Sequence, residues 1–309
     1  MISGEYLVLA GATALAIPVR YGQGLRVKSR KAGSGPKVSW TSRVCGKKFL
    51  QIAFLGQELE ISRLQFYGQY KQAEPEKPAR FIRRVLMAAR EVNPLFLSEE
   101  KSWEVEAEVE FDLEWGLGSS SSLISNIAYW SDVNPFILAF MVSKGSGYDI
   151  ACARSRNAIL YTFIGQGKQP LVKETAFSPP FSDRLYFVYS GRKQNTDEEI
   201  KHFRPGTIPG KSISEISEIS RKMAKATNLE SFMDLMKRHE YITAEITGGI
   251  PAMDSDFRGF KGAVKQLGAW GGDFLLAASV ASREEVLDYF RQCGKGPVFG
   301  FNEMMIKNE

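Results

Sequence analysis

The sequence predicts an α+β fold, and three observations carry that reading. Residues Trp103 to Phe111 alternate cleanly, with Trp103, Val105, Ala107, Val109 and Phe111 on one face and Glu104, Glu106, Glu108 and Glu110 on the other. That is a strand with one wet face, as in mixed or antiparallel sheets. The second half of the chain orders its elements strand, helix, helix, strand, helix, strand, which is an antiparallel α+β arrangement. Between them, a glycine-rich turn runs into an apolar helix at Trp115-Gly-Leu-Gly-Ser-Ser-Ser-Ser122.

The elements follow in order. Residues 6–30 mix β-branched residues and glycines as strands and a tight turn do, and Lys31-Ala-Gly-Ser-Gly-Pro36 reads as a hairpin or a loop. Pro78 opens a helix that runs to Asn93 and stops at Pro94. A helix over Ser120 to Trp130 follows the glycine loop, and another spans Asn134 to Val142 with Pro135 in its first turn. Arg184 to Tyr189 is a short apolar strand, and a polar loop follows it to Gly210. Ile213, Ile216, Ile219 and Met223 mark an amphipathic helix. Leu229 to Ile246 is a second helix and Phe257 to Leu267 a third. Phe274 to Val280 is a buried strand, Ser282 caps a helix to Cys293, and Val298 to Phe301 closes the sheet. A boundary near Gly165-Gln-Gly-Lys168 gives two domains, 1–167 and 168–309.

Composition narrows the function classes. Hydrophobic residues make up 44% and charged residues 24% of the 309 residues, as in an ordinary globular protein. No uninterrupted apolar run reaches membrane-spanning length, and the start lacks the basic region of a signal peptide and meets an acid too early, at Glu5, so the expected location is cytoplasmic, away from membranes. Three scattered cysteines give neither a disulfide framework nor metal spacing. His202 and His239 are too few for a histidine-based zinc site or a Ser-His-Asp triad. The net charge of +5 is mild, and its basic clusters, at Lys28–Lys37, Arg43–Lys48 and Lys77–Arg90, carry no interleaved aromatics. They read as solvated strands and a solvated helix face, not as a nucleic-acid surface.

Three motifs carry chemistry. In the Trp115–Ser122 loop, two glycines let a ligand approach the main chain, and the helix N-terminus behind them offers N–H donors and the positive end of its dipole to an anion. The serines add hydroxyl donors and a Mg²⁺ ligand. The competing reading is a plain N-capped connection. The loop is no Walker A sequence, since no Gly-Lys-Ser/Thr ends it, and it lacks the second glycine of Gly-x-Ser-x-Gly. In Gly145-Ser-Gly-Tyr-Asp-Ile-Ala-Cys-Ala153, glycines present one acid, Asp149, which can orient and deprotonate a substrate hydroxyl or merely cap a helix. In Leu267-Gly-Ala-Trp-Gly-Gly-Asp-Phe274, a glycine turn enters an apolar strand, either against a nucleotide or as a tight turn with a bulge.

Taken together and in this order, the motifs resemble those of the GHMP kinases, and Gly4-Glu-Tyr-Leu-Val-Leu-Ala-Gly-Ala-Thr-Ala-Leu-Ala-Ile-Pro18 resembles the first motif of that superfamily. The likeness runs from residue 4 to about 280 and lies nearest the bacterial branch reading Gly-Tyr-Asp-Ile-Ala, close to mevalonate and phosphomevalonate kinases. The resemblance implies an N-terminal domain like ribosomal protein S5 domain 2 and a ferredoxin-like C-terminal domain. It implies ATP and Mg²⁺, with Gly116, Leu117, Gly118, Ser119, Ser120 and Ser121 at the phosphates and Ser120 as the Mg²⁺-side hydroxyl. Asp149 matches the acid beside the acceptor hydroxyl; Gly268, Gly271 and Gly272 match the third loop. Glu5, Gly147 and Lys193 fall on the substrate side, the last beside Arg192 and equally readable as a solvated pair. The partner implied is a small anionic acceptor, and a homodimer is left open.

The sequence also departs from that pattern. The lysine that precedes the first-motif glutamate by about six residues would fall ahead of Met1, so a late start is expected. Phe136 to Phe140 holds no acid where mevalonate kinases carry a Mg²⁺-binding glutamate, and Trp270 and Asp273 stand where those enzymes have glycines. An acid at 273 repels phosphates unless Mg²⁺ or a lysine offsets it. The implied activity is γ-phosphoryl transfer to a mevalonate-pathway acid. The alternatives are a catalytically weakened nucleotide-binding homologue and a decarboxylase of the diphosphomevalonate type.

Overall fold

The computed structural model describes residues 1–31, 33–68, 76–191, 203–268 and 272–306. In chain order its elements are β1 (Thr13–Ala16), β2 (Gln23–Lys31), β3 (Val38–Val44), β4 (Lys47–Leu55), β5 (Glu60–Phe66), α1 (Glu76–Val92), β6 (Lys101–Val109), α2 (Ser119–Trp130), α3 (Pro135–Val142) and α4 (Tyr148–Ala153). There follow β7 (Ala158–Thr162), β8 (Leu171–Thr175), β9 (Leu185–Tyr189), α5 (Gly210–Ala224), α6 (Leu229–Thr247), β10 (Gly262–Leu267), β11 (Phe274–Ser279), α7 (Arg283–Gln292), β12 (Val298–Gly300) and α8 (Phe301–Met304). The chain forms two compact units, each assembled from separate stretches: 1–20, 114–116 and 144–309 in one, 21–113 and 117–143 in the other. The cut at 167/168 expected from the sequence falls inside the first of these.

The second unit is a five-stranded sheet in the order β2-β6-β3-β4-β5, with α1, α2 and α3 packed on one another. Strand β6 sits between β2 and β3, antiparallel to the first and parallel to the second. Strands β2 and β3 are therefore not partners in a hairpin. On β6, Val105, Ala107 and Val109 are buried. The opposite face pairs across the strands, Glu106 with Arg26 at 3.2 Å and Glu104 with Arg30 at 2.8 Å. Such exposed pairs contribute little stability, and they occupy part of the basic cluster seen in the sequence.

The first unit holds two sheets. One is three-stranded, β1-β7-β8, and antiparallel. The other runs β10-β11-β9-β12, antiparallel throughout, with α5 and α6 in the first crossover and α7 in the second. A core cluster that includes α7 gathers Tyr186, Val188, Phe257, Phe260, Val264, Leu275, Ala277, Val286 and Phe290. Helix α7 starts under the predicted Ser282, whose hydroxyl accepts from Glu285 N while the Glu285 carboxylate takes the Ser282 N–H.

One predicted element is wrong. Residues Phe257 to Leu267 do not form a helix; turns lead into strand β10, which pairs residue for residue with β11. The apolar spacing Phe257, Phe260, Val264 mimics one helix face, but the glycines decide otherwise. Gly259 takes φ +85°, and a Cβ at Gly262 would lie 2.0 Å from the Ala278 carbonyl oxygen, so the strands meet at a spacing only glycine permits. Among the described residues, no helix is long and apolar enough to cross a membrane.

Candidate functional site

The Gly-Leu-Gly-Ser loop takes the conformation its glycines allow. Gly116 has φ +61° and Gly118 φ +83°, both left-handed. Gly118 is the N-cap of α2, and no side chain caps that helix. A Cβ on Gly118 would meet nothing within 4 Å among the described residues. Ser120 is exposed in the first turn. The body of α2 is tied down by Ser122, whose hydroxyl donates to Gln23 Oε1 at 2.7 Å, and by Asn126, which donates to Gln23 O at 2.8 Å. A helix start without a side-chain cap leaves main-chain N–H donors that an anion can meet.

The Asp149 motif repeats the construction. Gly147, at φ +80°, is the N-cap of α4, again without a side-chain cap, and Asp149 lies in the first turn, half-buried. The Tyr161 hydroxyl donates to Ser146 O and fixes the loop ahead of it. Burial pushes the Tyr148 hydroxyl well up, and the negative charges of Asp149, Glu5 and Asp273 push the same way. Burial likewise raises the Cys152 thiol to about 12, so this cysteine stays a protonated packing residue.

The third loop closes on the first. Gly268 has φ +78° and Gly272 is buried. Asp273 rests directly on Gly116: a Cβ there would lie 1.7 Å from Asp273 Oδ2. The Asp273 carbonyl accepts from Ser190 N at 2.9 Å, and Lys295 Nζ donates to Ser190 O at 3.0 Å. Next to it Trp115 packs edge-on against Phe299 and Phe274, with centroids 5.2 and 6.3 Å away. Gly271 and Lys193, with Trp270 and Arg192, lie outside the described residues.

Glu5 is placed in a buried charge cluster that sequence reasoning missed. Lys265, fully buried on β10, donates to Glu5 Oε1 at 2.7 Å and to Gln266 O at 2.8 Å. Burial alone would raise the Glu5 carboxyl; Lys265 and His239 outweigh it and hold it below the usual carboxylate range. His239 is depressed by burial and by Lys265, so it stays neutral near pH 7. Its Nε2 accepts from Gly4 N at 2.8 Å. Glu5 Oε2 lies 3.1 Å from that nitrogen and has no hydrogen bond. Next door, burial lifts Glu240 to about 7 while the N–H groups of Gln266 and Ala252 donate to it. Lys265 was hidden by the misread helix; a lone lysine between Val264 and Leu267 in a strand is the signal that could have found it.

Within the first unit, then, Glu5, Asp149 and Asp273 all act on Tyr148, and Asp273 meets Gly116. Leu117, Gly118, Ser119, Ser120 and Ser121 belong to the second unit. Among the described residues, no group of three His, Cys, Asp or Glu side chains could hold a metal ion by itself.

No protein-family model matches the chain, and no curated protein matches it in sequence. Solved structures match it over nearly its whole length. Streptococcus pneumoniae phosphomevalonate kinase, in complex with phosphomevalonate and AMPPNP, aligns at TM-score 0.66 and 13% identity, covering 96% of each chain. The Lin0012 protein of Listeria innocua aligns at 0.64 and 16% over 96% of each. L. major mevalonate kinase, in complex with R-mevalonate, aligns at 0.62 and 16%, covering 94% of this chain and 88% of that one. At these identities the likeness is one of fold: the chain has the mixed α/β fold of mevalonate and phosphomevalonate kinases.

Proposed function

We propose that this protein is an ATP-dependent small-molecule phosphotransferase of the GHMP type, acting on mevalonate or phosphomevalonate. The observation that carries the reading is the uncapped N-terminus of α2 behind left-handed Gly118, on a fold shared with kinases of that pathway. In this reading 1–167 and 168–309 correspond to the S5 domain 2-like and ferredoxin-like parts of such kinases; the β10-β11-β9-β12 order supports the second.

Each residue has a defined task. The main-chain N–H groups at Gly116 to Ser121 and the α2 dipole receive the phosphates, so affinity comes from fixed donors that need no reorganisation. Ser120, exposed in the first turn, offers its hydroxyl on the Mg²⁺ side. When bound, MgATP supplies the transferable γ-phosphoryl group and the charge neutralisation that transfer requires. Asp149, held in the first turn of α4, receives or orients the acceptor proton. Glu5, tied to Lys265 and beside Tyr148, anchors the first motif on the acceptor side, together with Gly147.

The test is ATP consumption with Mg²⁺ over a panel of mevalonate, phosphomevalonate, mevalonate diphosphate, homoserine and simple sugars. Turnover is expected with one of the first two only. Release of CO₂ from mevalonate diphosphate, or nucleotide binding with no acceptor consumed, would overturn the assignment.

A further inference from the structure

We propose that Lys265 is a positioning residue for the acceptor: through Glu5 it clamps the first motif in a strained turn at Tyr6, a role that rests on the kinase reading above. The turn is Glu5-Tyr6-Leu7. Tyr6 takes φ +60° and ψ −54°, and Leu7 N donates to Glu5 O at 2.6 Å, two residues back. This is the γ-turn with positive φ at its centre, a rare and strained form for a residue with a side chain. Such strain persists only where the surroundings over-determine it. Four elements of the first unit do so here. Leu15 on β1 accepts from Ile2 N and Ser3 N and returns its own N–H to Ser3 O. The Ser220 hydroxyl on α5 accepts from that of Ser3 at 2.7 Å. His239 on α6 takes the Gly4 N–H at 2.8 Å, and Lys265 on β10 holds the Glu5 carboxylate at 2.7 Å. Gly4 itself, at φ +97°, lies so near β1 that a Cβ would stand 2.6 Å from Ala14 Cβ.

The clamp is ill suited to stability alone. Glu5, His239 and Lys265 are all buried, and a buried ion pair adds little net stability because both charges leave water. One oxygen is also left over. Glu5 Oε2 has no hydrogen bond among the described residues; it faces His239 Nε2 at 3.1 Å, and that nitrogen already takes the Gly4 N–H. An apolar pair would fill the same space without an orphaned acceptor. What the charges supply instead is a fixed place for the motif. Facing Glu5 are Lys265 from β10, His239 and Glu240 from α6, and Tyr148 from α4. Tyr148 opens α4 directly before Asp149, the residue assigned to the acceptor proton. The turn thus sets the first motif against the start of α4, and relaxing it is expected to disturb the acceptor and not the nucleotide.

Two pairs of variants of the full-length protein test this. Tyr6→Gly and Tyr6→Ala both lose the ring that packs on Phe203, so they differ in backbone freedom alone. Glycine is ordinarily the less stable of the two. At a strained positive φ it should instead melt roughly 2 °C or more above the alanine variant. An alanine variant that melts as high or higher overturns the strain. Lys265→Met and the neutral pair Lys265→Met/Glu5→Gln are then assayed with the acceptor that wild type consumes, with circular dichroism as the check on folding. Acceptor kcat/KM should fall roughly tenfold or more in both, with the KM for MgATP within about threefold of wild type. Lys265→Met alone should add a step to the pH profile of acceptor kcat/KM, because a buried Glu5 without its cation takes up a proton more readily. The neutral pair should lack that step, and it carries the test if Lys265→Met does not fold. Wild-type acceptor kinetics in the folded neutral pair, or equal losses for acceptor and MgATP, overturns the positioning role. Acceptor loss in a folded Lys265→Met with no added step overturns action through Glu5. Wild type consuming no acceptor overturns this proposal together with the kinase reading beneath it.

Discussion

Helices α3, α6 and α7 begin differently from α2 and α4, and the contrast separates the fold from the site. Asn134 accepts from Phe136 N at 2.9 Å, Asn228 from Ser231 N at 2.9 Å, and Ser282 closes a reciprocal capping box. Those helices satisfy their first donors from within. Helices α2 and α4 start behind left-handed glycines that have no side chain to offer. Absence of a cap is not enough by itself, since α5 also begins uncapped, behind Pro209. The left-handed glycine is the added mark, since it begins both α2 and α4 with a residue that has no side chain to cap them. The polar groups differ in burial as well: Lys265 and Glu240 are buried and paired inside the protein, whereas Asp149 is half-buried and Ser120 exposed in the first turns of the glycine-started helices.

The largest effect expected on this contrast is at Asp149. Asp149→Asn should lower turnover by ~10²–10⁴-fold while nucleotide binding and melting temperature hold, because only proton handling is removed. Turnover equal to wild type in steady-state assays would break the assignment. Gly116→Ala comes next. The new methyl meets Asp273 and the backbone is strained at φ +61°, so a loss of about 2 kcal/mol in urea unfolding is expected. Adding Asp273→Gly should return the packing part of that loss and leave the backbone part; a double variant no better than the single would show that no packing contact exists.

Glu240 tests the internally satisfied side through pH. Its folded-state value, about 7, lies above the ordinary 4.5. Below pH 4.5 both folded and unfolded forms keep the proton, so this residue costs nothing. As pH rises from 4.5 to 7 the unfolded chain ionises first, and stability falls by on the order of 2 kcal/mol. Glu240→Gln should flatten that slope in urea midpoints measured between pH 4.5 and 7. An unchanged slope would mean that the decline comes from other groups. The smallest effect belongs to the capped helices: Ser282→Ala should cost about 1 kcal/mol and leave nucleotide affinity untouched. A drop in affinity there would blur the line between caps that serve the fold and starts that serve a ligand.

Much of this was legible from residue order, for physical reasons that can be named. The Trp103–Phe111 alternation located β6 because one face is buried and the other wet, and Ser282 and Pro135 marked helix starts because capping chemistry is local. The glycine motifs foretold the turns ahead of α2 and α4 because left-handed backbone selects glycine. What failed was non-local. Phe257, Phe260 and Val264 look like a helix face until Gly262 is seen against Ala278 across a strand pair. The insertion of β6 between β2 and β3 leaves no trace in the intervening loop. The bond between Lys265 and Glu5 spans 260 positions, and nothing near either residue foretells the other.

That span has a consequence for the order in which the protein is built. The second unit is complete once residue 143 has been synthesised, whereas Glu5 waits until residue 265 for its cation. Until then its carboxylate has no reason to leave water, since burying an unpaired charge is strongly unfavourable. The first motif therefore settles late, after most of the chain has emerged. A chain cut short before β10 would carry an intact five-stranded sheet, and its opening residues would remain solvated and within reach of proteases.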